Sequence, residues 1–151
     1  MTLVLGCGNP DRGDDAAGRL VARRLREMGL EAREHNGDAL SLLDAWQGAD
    51  DVVLVDAVMT GKRPGTVSVW NQMTAPTNAE ALLSCSHALG LAEAIAIARM
   101  LGCLPRHLTL YGIEAGHFDL SKPPRKAVLR AVERVAQRVY EYCVDQGRPA
   151  V

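Results

Sequence analysis

Apolar and polar positions along the chain switch between a period of two and a period of 3.6, and the switches outline the elements. Leu3-Val4-Leu5 is a short contiguous apolar run closed by Gly6 and Gly8, which predicts a buried strand rather than a helix. Over residues 16–28 the spacing changes, and Ala17, Leu20, Val21, Leu25 and Met28 fall on one helical stripe, stopped by Gly29. Residues 30–35 predict a short strand, Asn36-Gly37-Asp38 a turn and residues 40–46 a short helix. Residues 52–58 open with β-branched side chains and form the clearest buried strand, yet Asp56 stands where the pattern asks for another hydrophobe. Residues 66–70 alternate as a strand does. The preceding loop is too short for a crossover, so this strand is expected to run antiparallel to its predecessor. A polar connection over 71–86 leads to residues 87–101, apolar on almost every face and expected to be a well-buried helix. The last strand is read at 108–113. Ser121 with Pro123 and Pro124 marks the start of a terminal helix whose stripe is Val128, Val132, Val135, Ala136, Val139 and Cys143.

Strands alternating with helices predict an α/β fold: a single three-layer αβα domain over residues 1–151, with a mostly parallel five-stranded sheet and one antiparallel strand. In open sheets of this class, sites form at the carboxyl ends of the strands. The first and third strands end there. The antiparallel fourth ends at the opposite edge, and residues 71–86 are ample to climb back, so a helix opening at His87 descends from the carboxyl edge too. Asp15, Asp56 and His87, far apart in sequence, are therefore expected to converge.

Two carboxylates and an imidazole form a mixed oxygen/nitrogen donor set for a divalent transition metal, with positions left open and no choice among metals. Each residue also has a simpler reading. Asp14 and Asp15 stand where a loop becomes a helix, so either serves the free amides and dipole of a helix start, and Asp14 is read as the cap. His87 is equally readable as a group satisfying a buried helix start. Cys85, two residues before His87, admits a Cys–His nucleophile as a further alternative. Glu114 and His117 follow the last strand and are read as solvated loop residues or substrate contacts near the same edge. A strand, glycine loop and helix also suggest nucleotide binding. However, the spacing Gly6, Gly8, Gly13 departs from the dinucleotide fingerprint, no P-loop Lys-Ser/Thr follows, and the acidic pair would repel phosphate.

Composition narrows the classes further. Lys and Arg number 17 against 18 Asp and Glu, a formal charge of −1, which removes the basic field of a sequence-independent nucleic-acid binder. No signal-peptide pattern or membrane-spanning apolar stretch is present, so the chain is expected to be soluble, unexported and cytoplasmic, without a membrane partner. Its size and near-neutral charge permit a monomer. Cys7, Cys85, Cys103 and Cys143 form no C-x-x-C pair and are expected to be reduced and mostly buried rather than zinc ligands.

The run Gly6-x-Gly8-Asn9-x-x-x-Gly13-Asp14-Asp15-x-x-Gly18 resembles the opening signature of the hydrogenase maturation proteases. Val55-Asp56-Ala57 is similar to that family's second motif and Ser86-His87-x-Leu89-x-Leu91 to its histidine motif. Gly112-Ile113-Glu114 followed by Leu120-Ser121 is similar to its C-terminal portion, so the likeness runs from residue 3 to about residue 132. The resemblance implies an endopeptidase that removes the C-terminal extension of a nickel–iron hydrogenase large-subunit precursor after nickel insertion. It implies that Asp15, Asp56 and His87 contact nickel carried by that precursor and serve catalysis, with Gly8 and Asn9 positioning the peptide or an oxyanion. A non-hydrolytic metal-sensing chaperone of the same precursor is the alternative. The sequence departs from the pattern at Asp15, where many relatives carry Glu, and at Ala115, where relatives often carry Pro.

Overall fold

A computed structural model describes residues 1–75, 90–117 and 122–146. In chain order the elements are β1 (Thr2–Cys7), a 3₁₀ turn (Gly13–Ala16) running into α1 (Ala17–Glu27), β2 (Arg33–His35), α2 (Ala39–Ala45), β3 (Asp51–Val58), β4 (Val67–Asn71), α3 (Leu91–Leu101), β5 (His107–Glu114) and α4 (Lys126–Gln146). Among the described residues five strands form one sheet in the order β2-β1-β3-β5-β4. The β1/β2, β1/β3 and β3/β5 pairs are parallel, and β4 alone runs antiparallel, against β5.

Strict alternation along the central strands sorts the core into two layers. Val4, Val53, Val55, Ala57 and Ile113 face α1 and α4, packing on Val21, Leu25, Val128, Val135 and Val139. Leu5, Cys7, Val52, Leu54, Val58 and Leu110 face α2 and α3, packing on Leu42, Trp46, Leu91 and Ile95. A mostly parallel sheet buried on both faces is the three-layer αβα arrangement expected from the alternation of elements.

The elements differ from the expected ones in several places. The expected antiparallel direction of β4 holds, but β4 pairs with β5, which inserts between β3 and β4 and so leaves β4 at the edge. Helix α4 begins at Lys126 rather than near Ser121. Residues before Pro123 and Pro124 are biased to extended backbone, and the Arg125 amide is held by a distant carboxylate instead of a local cap. Helix α3 is not buried all round, because Met100 and Leu101 in its last turn are exposed. Of the cysteines, Cys7 is buried, Cys143 partly buried and Cys103 exposed, so the expectation of burial fails for Cys103, while Cys85 lies outside the described residues. No helix among the described residues is long and apolar enough to cross a membrane.

What sets the distance between α1 and the sheet is a pair of facing glycines. A Cβ on Gly18 would lie 2.2 Å from the Cys7 carbonyl oxygen and 2.4 Å from that of Val55, and a Cβ on Gly6 would lie 2.1 Å from the Gly18 oxygen. The helix backbone thus rests directly on β1 and β3, closer than any side chain allows. Gly18→Ala is expected to force α1 off the sheet and cost about 3 kcal/mol, as overpacking of a tight core does. A shift of the urea midpoint without a change in its slope checks this.

Candidate functional site at the carboxyl edge

The parallel strands β1 and β3 deliver their ends to the same edge, with Gly6 opposite Val55. Beyond β1 the chain turns sharply at Gly8, whose φ of 135° suits glycine and whose Cβ would meet the Asp15 carbonyl oxygen at 2.0 Å. The loop from Gly8 to Arg12 then closes on itself. The Gly8 amide donates to the His35 carbonyl at 3.1 Å and the Asn9 amide to Asp15 Oδ2 at 3.2 Å. The Asp11 amide donates to Asn9 Oδ1 at 2.9 Å and the Arg12 amide to the Asn9 carbonyl at 3.3 Å. With Pro10 lacking a donor, each remaining amide of this loop is engaged, those of Asp11 and Arg12 within it, that of Gly8 by β2 and that of Asn9 by Asp15. The amides at Gly8 and Asn9, expected to position the peptide or an oxyanion, tie the loop to β2 and to Asp15.

Asp15 occupies the 3₁₀ turn and is fully buried, as is its neighbour Asp14. Asp56 lies on β3 opposite Gly112 of β5, 3% exposed, and alternation puts it on the α2/α3 face with Cys7. Its Oδ1 accepts the Ala57 amide at 2.8 Å. Burial pushes the Asp56 carboxyl well above the usual range and the neighbouring Asp15 charge pushes it further, while the Ala57 amide opposes both. The Cys7 thiol is raised too, first by burial, then by Asp56, with Arg19 opposing and Asp15 adding. Asp15, Asp56 and Cys7 therefore share one electrostatic neighbourhood at the ends of β1 and β3. His87 and Cys85, and with them the expected convergence of the imidazole and the Cys–His alternative, lie outside the described residues. Helix α3 starts four positions after His87, and its first residue, Leu91, packs in the layer that holds Cys7. Among the described residues no group of three His, Cys, Asp or Glu side chains is arranged to hold a metal. A cavity of about 760 Å³ lies at the opposite, amino edge, against Thr2, Asp51, His107 and Tyr142, away from the acidic pair.

A family model described as hydrogenase maturation protease matches residues 37–142, which include Asp56 and His87. The chain belongs to this family. Among its relatives are the hydrogenase expression/formation proteins HupD of Thiocapsa roseopersicina, 30% identical over 122 residues, and HoxM of Azotobacter vinelandii, 26% identical over 151 residues. These alignments take in 78% and 96% of this chain, which spans 55% and 73% of the respective relatives. The structure of the hydrogenase maturating endopeptidase HybD from E. coli superposes with a TM-score of 0.81 over 97% of this chain and 93% of that one, at 24% identity, an agreement of fold.

Within this maturation protease fold, two residues read as peripheral prove to be internal fasteners. Asp14 is not a cap of its own helix. Its Oδ2 accepts the amides of Gly116 at 2.7 Å and His117 at 3.2 Å, and its Oδ1 accepts the Arg125 amide at 2.7 Å, so it ties the chain after β5 and the start of α4 to the opening turn. Gly13, at a φ of 54°, makes room there, since its Cβ would lie 2.4 Å from the His117 ring. Glu114 is not a solvated loop residue but the buried end of β5, accepting the Thr60 amide at 2.8 Å and the Thr60 hydroxyl. Arg19, unmarked in the sequence, donates its Nε hydrogen to the Gly8 carbonyl from the first turn of α1. A polar residue on a helix's solvent side carries no sequence mark of that contact.

Asp14→Asn keeps one acceptor but turns an amide NH₂ toward backbone donors, and is expected to cost about 2 kcal/mol in urea unfolding. For Asp56 the sign follows from its raised carboxyl: the folded state favours the protonated form, so stability falls as pH rises from the ordinary carboxylate range through the raised value. Asp56→Asn is accordingly expected to melt above the wild type at neutral pH, with the gap closing on acidification in a series of thermal scans.

Proposed function

We propose that this chain is the processing endopeptidase of a nickel–iron hydrogenase large subunit, removing the precursor's C-terminal extension after nickel insertion. One observation carries the reading: two buried carboxylates from distant segments, Asp15 and Asp56, stand together at the carboxyl edge of a fold whose family is hydrogenase maturation protease. Packing two acids together in an apolar setting destabilises the ionised form, a cost that a proton or an arriving cation relieves. A metal ion already seated in the precursor supplies such a cation without a resident cofactor. Asp15, Asp56 and His87 would contact this nickel, making its presence the signal that the precursor is ready. One carboxylate would orient or deprotonate the attacking water. Asn9, whose main chain and Oδ1 are held in the loop, would present the rest of its side chain to the peptide beside the cut.

Precursor with and without nickel separates the possibilities. The expected result is cleavage of the nickel-loaded form alone, with Asp15→Ala, Asp56→Ala and His87→Ala each slowing it roughly 100-fold or more while remaining folded by circular dichroism. Normal processing by all three variants would overturn the site, equal cleavage of nickel-free precursor would overturn the recognition step, and tight binding without cleavage would identify a chaperone.

A further inference from the structure

Helix α1 carries Arg19, Arg23 and Arg26, spaced to lie on one face, and all three turn to a single carboxylate on β2. Glu34 Oε1 lies 3.6 Å from Arg19 Nη1 and 3.0 Å from Arg23 Nη2, and its Oε2 lies 2.6 Å from Arg26 Nη2. Two guanidinium groups are enough to cover both oxygens of one carboxylate, so the third is surplus to the staple between α1 and β2. The hydrogen bond from Arg23, then that from Arg26, outweigh the opposing burial and hold the Glu34 carboxyl down at about 2. It is therefore ionised at any working pH and cancels one of the three positive charges. Two remain, on a strip whose Arg23 and Arg26 side chains are 46% and 43% exposed.

The position of the strip gives it meaning. Strand β2 is an edge strand among the described residues, with no further described strand on this flank. Glu34 lies one residue before His35, which pairs with Cys7 at the carboxyl edge, and Arg19 holds the Gly8 carbonyl of the site loop. From Arg19 to Arg26 the helix descends about 10 Å. The charge thus begins at the rim beside the acidic pair and runs down the outside of the molecule. Arg24, on another face, is spent on Glu27 and Glu133.

We propose that this arginine strip docks an acidic patch, a group of Asp and Glu side chains, on the protein whose segment is cut at the rim. The proposal rests on the processing reading above and adds the chemistry of its partner. Guanidinium forks match carboxylates in pairs, and half-exposed arginines retain donors beyond those given to Glu34. A nucleic acid would ask for a wider basic field than a chain of net charge −1 provides. Partly exposed charges at the side of an interface act chiefly on encounter and on salt dependence.

The test compares wild type, Arg23→Gln/Arg26→Gln and Arg24→Gln across about 0.05 to 0.3 M salt, with nickel-loaded precursor as substrate. The double variant is expected to raise KM about tenfold at low salt, with most of the loss in KM rather than kcat, and to flatten the salt dependence. Arg24→Gln should follow the wild type. A polyglutamate peptide should bind wild type in direct titration and lose about tenfold in the double variant, whether or not any precursor is cut. Wild-type KM and salt dependence in the double variant would overturn the docking strip, as would binding of single-stranded DNA in preference to polyglutamate. If wild type binds precursor through these arginines but leaves it uncut, the processing reading falls and the strip stands.

Discussion

The structure depends on backbone-to-backbone contact between α1 and the two central strands. Gly18 lies on the carbonyls of Cys7 and Val55, and Gly6 faces Gly18 in return. With any side chain between them the helix would stand off, and the turn that precedes it would move with it. That turn carries Asp15. The proximity of Asp15 and Asp56 is therefore a by-product of packing, set by residues that have no chemistry of their own.

A second consequence is electrostatic. Placing two carboxylates at a dry edge raises the carboxyl of Asp56 and opposes folding in the ionised form. The fold tolerates this because the remaining core is extensive, with apolar layers on both faces of the sheet.

Much of this was legible in the sequence because its causes are local. The two periods located the strands and helices, the short 60–65 loop foretold the antiparallel direction of β4, and an aspartate interrupting an apolar strand marked Asp56. What was not legible depends on partners far along the chain. The insertion of β5 between β3 and β4 is a pairing choice that periodicity does not encode. Asp14 looked like a helix cap because its three amide donors lie about a hundred residues away. Glu114 looked like a loop residue because its partner, Thr60, sits in a different connection. The exposed Met100 and Leu101 show that an apolar stretch fixes a helix more surely than it fixes the turn at which burial stops. Arg19, Arg23 and Arg26 read as an ordinary solvated helix face until the fold brought Glu34 beneath them.

The fastening of Asp14 has a consequence for how the molecule is made. During synthesis the opening turn leaves the ribosome long before Gly116, His117 and Arg125 exist. Until they arrive, the buried Asp14 carboxylate has none of its three amide donors, and water is its better host. The first β-α unit on its own lacks these ties, so the turn that bears Asp14 and Asp15 is fully fastened only when nearly the whole chain is present. A product truncated before Gly116 lacks all three ties.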